Sequence, residues 1–249
     1  MSFKLTAPMH DAERLPPFET AELRLHLSQY LDTPFADPSG QTSKIGNYRW
    51  GVYAFFDYDG EPIYVGQTNE MLRTRIRRHL TNQRTDAVAM SVLDPFEVFE
   101  IEVWPLPQFQ GTASKDATAR AHLNALERRI TQDAIQRSAF KAILNEKDPP
   151  AGVDMVEVPP SHRGRIVSDR VVHLRGHPDF RIARRALILS RLAQVIAERQ
   201  VQGGLRRVLL TQAKRLEWLS GRRYEALGGD ALVGEEGGDE GELPLFDGV

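Results

Sequence analysis

Apolar positions change their period along this chain, and each change marks an element. In residues 20–31 (TAELRLHLSQYL), Leu23, Leu27, Tyr30 and Leu31 fall on one side of a helix, with Thr20 placed to cap it. Residues 33–40 (TPFADPSG) read as a loop. Residues 50–56 (WGVYAFF) and 62–67 (PIYVGQ) are short runs of β-forming residues, and the Asp59-Gly60 pair between them predicts a hairpin turn. From Glu70 to Leu80 (EMLRTRIRRHL), Leu72, Ile76 and Leu80 recur every fourth position, which predicts a helix with one buried side and a basic surface. Residues 95–104 (PFEVFEIEVW) alternate apolar and acidic, the pattern of a strand with one wet face. A second helix is predicted over 114–137, with Leu123, Leu126, Ile130 and Ala134 as its buried stripe. Two more are predicted over 180–200 and 205–221, N-capped at Asp179 and joined by a turn at Gly203-Gly204. In that pair Leu189, Leu192, Val195 and Ile196 would face Val208, Leu209, Leu216 and Leu219.

These elements predict an α+β fold: a small, mainly antiparallel three-stranded sheet flanked by helices, followed by a basic helical C-terminal region. The chain divides accordingly into a leader over 1–46, a mixed domain over 47–148, a Pro-rich linker over 149–160, basic helices over 161–225 and a tail over 226–249. The leader is expected either to pack on the mixed domain or to grip substrate. With 249 residues and 41% hydrophobic content, the chain can bury a real core. It has no cysteine, which excludes disulfides and thiolate metal sites. No long apolar run marks a signal peptide or a membrane span, so the expected location is cytoplasmic.

A formal net charge of −2 hides a division. Residues 161–225 carry 15 Lys and Arg against 5 Asp and Glu, whereas residues 226–249 carry 7 acids and no base. The tail reads as acidic and disordered. The arginines at 181, 184, 185, 191, 206, 207, 215, 222 and 223 are expected on the outside of the helical pair. There they would attract phosphates, Arg184, Arg185, Arg206 and Arg207 foremost. An ordinary solvated Arg-rich face is the plainer alternative. His162, His173 and His177 fit no zinc spacing.

The hairpin places Tyr53 and Tyr64 on adjacent strands, and Gly66 lies where backbone must approach something closely. Arg75 and His79 are four apart and share one face of the basic helix. Glu127 flanks the apolar stripe of its helix, where a carboxylate needs a partner. Gly51-Val52-Tyr53 followed by Tyr64-Val65-Gly66 resembles the signature of the GIY-YIG nuclease superfamily, with Val in place of Ile in both tripeptides. Arg75 and His79 match the Arg and His of that family's first helix, Glu127 its metal-binding Glu, and Asn145 a later Asn. Arg75 sits one residue further from Tyr64 than in common members, which leaves Arg73 as an alternative. The resemblance covers roughly residues 47–148.

It implies hydrolysis of DNA phosphodiesters, with duplex DNA as the expected substrate and one Mg²⁺ or Mn²⁺ held by Glu127. Tyr53 would be the general base, Arg75 the stabiliser of transition-state charge, and Tyr64 and His79 their aids. Gly66 and Asn145 would serve substrate contact or local structure. A single site cuts one strand at a time, so double-strand cleavage would need a homodimer or sequential nicking. An inactive DNA-binding module and an RNA-cleaving nuclease are the rival readings. A third is that the motif is accidental, which would leave Tyr53, Tyr64, Arg75 and Glu127 far apart.

Overall fold

The computed structural model describes residues 17–81, 92–147, 156–198 and 203–229. The expected polar loop near 82–86, part of the linker and nearly all of the acidic tail lie outside them. The chain opens with α1 (Phe18–Leu31), then a small hairpin of β1 (Pro34–Ala36) and β2 (Thr42–Lys44) where the sequence suggests only a loop. Leu23, Leu27, Tyr30 and Leu31 are the buried residues of α1, as their spacing predicts. The start of α1 differs. Pro17 occupies the cap position, and Thr20 lies inside the first turn with its N–H bonded to the Pro17 carbonyl. Proline can precede the turn because it has no amide hydrogen to leave unpaired.

The central hairpin is β3 (Gly51–Phe56) and β4 (Pro62–Thr68), paired antiparallel with Tyr53 opposite Gly66 and Phe55 opposite Tyr64. After α2 (Leu72–Leu80), β5 (Glu100–Pro105) pairs with the other edge of β3. Beyond α3 (Ala117–Arg137), β6 (His162–Arg165) adds to β5, giving the antiparallel order β4-β3-β5-β6. The fold is α+β as expected, but the sheet has a fourth strand drawn from the basic segment. Its residues are too polar to read as a buried strand. Arg163 donates to Glu100 at 2.6 and 2.9 Å, and the Tyr30 ring lies so close to Gly164 that a Cβ there would meet it at 2.9 Å.

All six residues of β3 are buried because helices cover both faces of the sheet. Val52, Ala54 and Phe56 pack with Leu123, Leu126, Ile130 and Ala134 of α3, the stripe read from sequence. Tyr53 and Phe55 face a larger core with Leu27 and Leu31 of α1 and Leu72, Ile76 and Leu80 of α2. The described part of the leader, residues 17–46, is therefore part of the core. α3 starts after Asp116, whose side chain accepts from the Ala119 amide at 2.8 Å. The strand expected from residue 95 begins only at Glu100, because Asp94 and Pro95 nucleate a 3₁₀ turn over Pro95–Glu97.

The C-terminal region comprises α4 (Asp169–Arg175), α5 (Pro178–Glu198) and α6 (Gly203–Ala226). Gly203 and Gly204 begin α6 instead of forming the turn. Asp179 lies within α5, where it pairs with Arg223 at 2.7 Å. Leu192, Ile196, Val208 and Leu219 are buried as expected, while Leu189, Val195, Leu209 and Leu216 are half-buried.

The arginines do not all face outward. Arg181, Arg185 and Arg215 are buried, Arg185 to 2% exposure. Arg185 donates to Glu97 at 2.9 Å and to Asp57 at 3.0 Å; Arg215 donates to the same Asp57 oxygen at 2.8 Å; Arg181 pairs with Asp59. The other Asp57 oxygen accepts the amides of Asp59 and Glu61 and shapes the hairpin turn. Position on the stripe decided this, not charge. Arg181 and Arg185 share a face of α5 with Ile188, Leu192 and Ile196. Guanidinium groups can be buried there because carboxylates meet them, offsetting a large desolvation cost.

Candidate active site

The hairpin register sets Tyr53 and Tyr64 on the same face of the sheet, with ring centroids 6.3 Å apart. Gly66 is also on that face. A Cβ built on Gly66 would lie 2.7 Å from both Cζ and Oη of Tyr53 and 2.9 Å from Cε1 of Tyr64. The two phenols occupy the space that any side chain would need, which is why the position is glycine.

α2 brings its cationic side to the phenols. Arg75 Nε donates to Tyr53 Oη at 3.3 Å, and His79 Nδ1 lies 3.4 Å from the same oxygen. The His79 ring stands edge-on to Tyr64, centroids 4.6 Å apart. Burial works against the charge of Arg75, but Tyr53, Tyr64 and Glu70 outweigh it and raise the guanidinium pKa. Arg73, the alternative at this position, is committed elsewhere. It pairs with Asp32 at 2.6 Å and donates to the Leu31 carbonyl at 3.3 Å, tying α2 to the end of α1.

Glu127 enters from α3. Burial pushes its carboxyl up to about 7, and the charge of Arg75 pulls it the other way. The guanidinium that bonds Tyr53 is thus also the positive charge that opposes burial at Glu127. Among the described residues no cluster of three or more His, Cys, Asp or Glu could hold a metal. A lone hard oxygen suits an ion that keeps most of its water, as Mg²⁺ does. A carboxyl held near neutral pH by burial would exchange its proton for such a cation, so Glu127 is a donor that fits such an ion.

Asn145 serves the strand that carries Tyr64. Its amide donates to the Val65 carbonyl at 2.7 Å and accepts the Val65 amide at 3.1 Å, while Leu144 N bonds to the Ile63 carbonyl at 2.8 Å. Residues 144–145 therefore close the outer edge of β4. Arg184 pairs with Asp94, and Arg185 lies in the buried ion cluster; neither joins the tyrosines. Arg206 and Arg207 are exposed near the start of α6, with Arg207 Nη2 3.5 Å from the Asn145 carbonyl.

One pair went unread in the sequence. Gln67 of β4 donates to Asn124 of α3 at 2.9 Å, and its own carbonyl oxygen is buried without a partner. Asn124 precedes Glu127 by one helical turn, so this bond fixes the helix segment that presents the carboxylate. The signal available was the three-residue spacing of Asn124 and Glu127 on one flank of α3.

No curated protein and no solved structure gives a match to this chain. Residues 49–110 match the GIY-YIG catalytic domain family. The matched stretch holds Tyr53, Tyr64, Gly66, Arg75 and His79 and ends before Glu127. With those residues gathered as described, the chain carries a GIY-YIG catalytic domain, the domain of a nuclease family.

Proposed function

We propose that this chain is a metal-dependent DNA endonuclease that hydrolyses phosphodiester bonds at the site around Arg75. The observation that carries the reading is the reach of one guanidinium: it bonds Tyr53 and acts electrostatically on Tyr64 and Glu127.

A phosphodiester resists attack because its oxygens are already negative. The five-coordinate transition state gathers still more charge, which Arg75 meets with a planar fork of donors in a partly dry setting. Tyr53 acts as general base toward the attacking water. Its free pKa is roughly 10, so the phenol needs help to hold a negative charge or to pass its proton on. Arg75 supplies the first and His79, 3.4 Å away, the second. Tyr64 orients the water or the phosphate, and Gly66 keeps the floor of the site free of side chain. Glu127 would hold one Mg²⁺ or Mn²⁺, which would neutralise phosphate charge and assist the leaving oxygen.

Residues 47–148 serve as the catalytic unit in this reading, and residues 161–225 contribute surface for duplex DNA. Of the arginines first assigned there, Arg206 and Arg207 keep that role; Arg184 instead ties α5 to Asp94, and Arg185 ties it to Glu97 and to Asp57 of the hairpin turn. No helix among the described residues is long and apolar enough to cross a membrane, in keeping with work in the cytoplasm.

The test is supercoiled plasmid with Mg²⁺, comparing the natural chain with Glu127→Ala and Arg75→Ala. Cutting by the natural chain alone supports the proposal. Binding without cutting would leave an inactive module, and cutting of RNA but not DNA in parallel reactions would replace the substrate. The mapped ends then tell a nicking enzyme from one that pairs two copies for double-strand cleavage.

A further inference from the structure

The outward face of the α5–α6 pair is the least explained surface of the molecule. The helices run antiparallel, tied at one end by Arg223 and Asp179. Next to that pair stand Phe180, 61% exposed, and Tyr224, and further along the two helices stand Leu187 and Leu210, 57% exposed. On each helix these residues recur at helical spacing, so they share a face. The exposed bases Arg191, Arg206 and Lys214 are interleaved with them. Soluble proteins rarely leave an apolar row of this kind uncovered unless something docks there.

The end of α6 shows where a cover would come from. Gly228 has φ +89°, and Gly229 N bonds back to the Tyr224 carbonyl, so the chain reverses at the end of the helix. Gly229 sits against Tyr224 so closely that a Cβ would meet the ring at 2.3 Å. The described chain therefore ends at Gly229 beside Tyr224, one member of the exposed row, and residues 230–249 follow in sequence. They carry 7 acids and no base, followed near their end by Leu243, Pro244, Leu245 and Phe246. Fully extended, twenty residues reach roughly 65–70 Å. α6, with 24 residues, is about 36 Å long. The segment is long enough to return along the whole helical pair, with acids to meet its bases and an apolar end to meet its leucines.

We propose that residues 230–249 dock on this outward face as an internal competitor for nucleic acid, the acids on Arg191, Arg206 and Lys214 and the Leu243–Phe246 stretch on Leu187 and Leu210. The competitive role rests on the nuclease reading; the docking does not. Tethering makes the contact intramolecular, so weak individual contacts suffice.

Because the chain has no cysteine, a dye pair can be placed cleanly in the full-length protein. Ala197→Cys, exposed near the far end of α5, and Val249→Cys would carry donor and acceptor. Docking predicts efficient transfer at low salt. Transfer should fall at least twofold in 1 M salt, where charges are screened over roughly 3 Å. It should fall likewise when Leu243, Leu245 and Phe246 are changed together to Ser. Low transfer that neither change moves would overturn the docking. Transfer between singly labelled chains in a mixture would overturn it in favour of a second copy as the occupant. Adding a short DNA duplex should lower transfer. If the duplex binds while transfer holds, the competitive role is lost. If no duplex binds, the nuclease reading fails while the transfer still reports the docking.

Discussion

Gly66 and Tyr53 occupy opposite positions on paired strands, and the phenol fills the volume where a Gly66 side chain would stand. Gly66→Ala therefore pushes the Tyr53 oxygen away from Arg75 and His79. A displacement near 1 Å costs on the order of 100-fold in rate. Plasmid cleavage should fall by about that factor with the circular dichroism spectrum unchanged. An undiminished rate would show that the position of Tyr53 is irrelevant to the chemistry.

Glu127 gives the fold a pH dependence of known sign. Its carboxyl keeps a proton in the folded chain up to about 7, against an ordinary value of 4.5. Between those values the unfolded chain has lost that proton and the folded chain has not. Stability from this group is therefore lost as pH rises from 4.5 to about 7, and stays lost above. Glu127→Gln has no such loss. At pH 8 the variant should be more stable than the natural chain by about 1–3 kcal/mol, with no gain at pH 4.5. Urea titrations at the two pH values check this, and a pH-independent difference would refute it. Mn²⁺ affinity of the natural chain should rise through the same window, as the proton leaves.

The two candidate arginines of α2 separate by function. Arg73→Ala removes a half-exposed pair with Asp32 and a bond to the Leu31 carbonyl. It should cost about 0.5–2 kcal/mol of stability and leave cleavage intact. Arg75→Ala should do the reverse, cutting the rate by about 100-fold or more. A rate loss with Arg73→Ala alone would move the transition-state contact to Arg73.

Removing one member of the buried ion cluster should be felt strongly. Arg185→Met takes the 2.9 Å bond from Glu97 and one of the two guanidinium groups from the Asp57 oxygen, leaving two buried carboxylates with less positive charge than they need. The expected loss is about 3–5 kcal/mol, read from urea midpoints at constant slope. Asp57→Asn in the same background should recover part of it.

The grouping of Tyr53, Tyr64, Gly66, Arg75 and His79 was legible in strand register and helical period, although family spacing left Arg73 as a rival to Arg75. Tyr53, Tyr64 and Gly66 follow from strand register, and Arg75 with His79 from a four-residue step. What periodicity cannot give is which partner a charge finds. Arg181, Arg185 and Arg215 read as solvent-facing, yet they lie on buried stripes because Asp57, Asp59 and Glu97 wait opposite. Those acids looked equally ordinary: two sit in a turn, and Glu97 belongs to a run that alternates like a wet strand. β6 escaped for a related reason. A strand of His, Arg and Gly has no apolar signature; it pairs with β5 through the backbone ladder, Arg163 on Glu100 and the Ser161 hydroxyl on Glu102. Asn145 makes two hydrogen bonds to the Val65 backbone, a pairing that no local pattern announces.

The position of β6 has a practical consequence for anyone trimming this protein. Expressing residues 47–148 alone would strip the neighbour from β5 and bare the amide and carbonyl groups along that side. It would also unseat the helices whose guanidinium groups cap Asp57, and remove α1 from the underside of Tyr53. Such a fragment would offer other fragments a ready template for pairing and should come out as oligomers on a sizing column. The portion of polypeptide able to stand alone is set by hydrogen-bonded neighbours, and those reach well past the stretch that bears the chemistry.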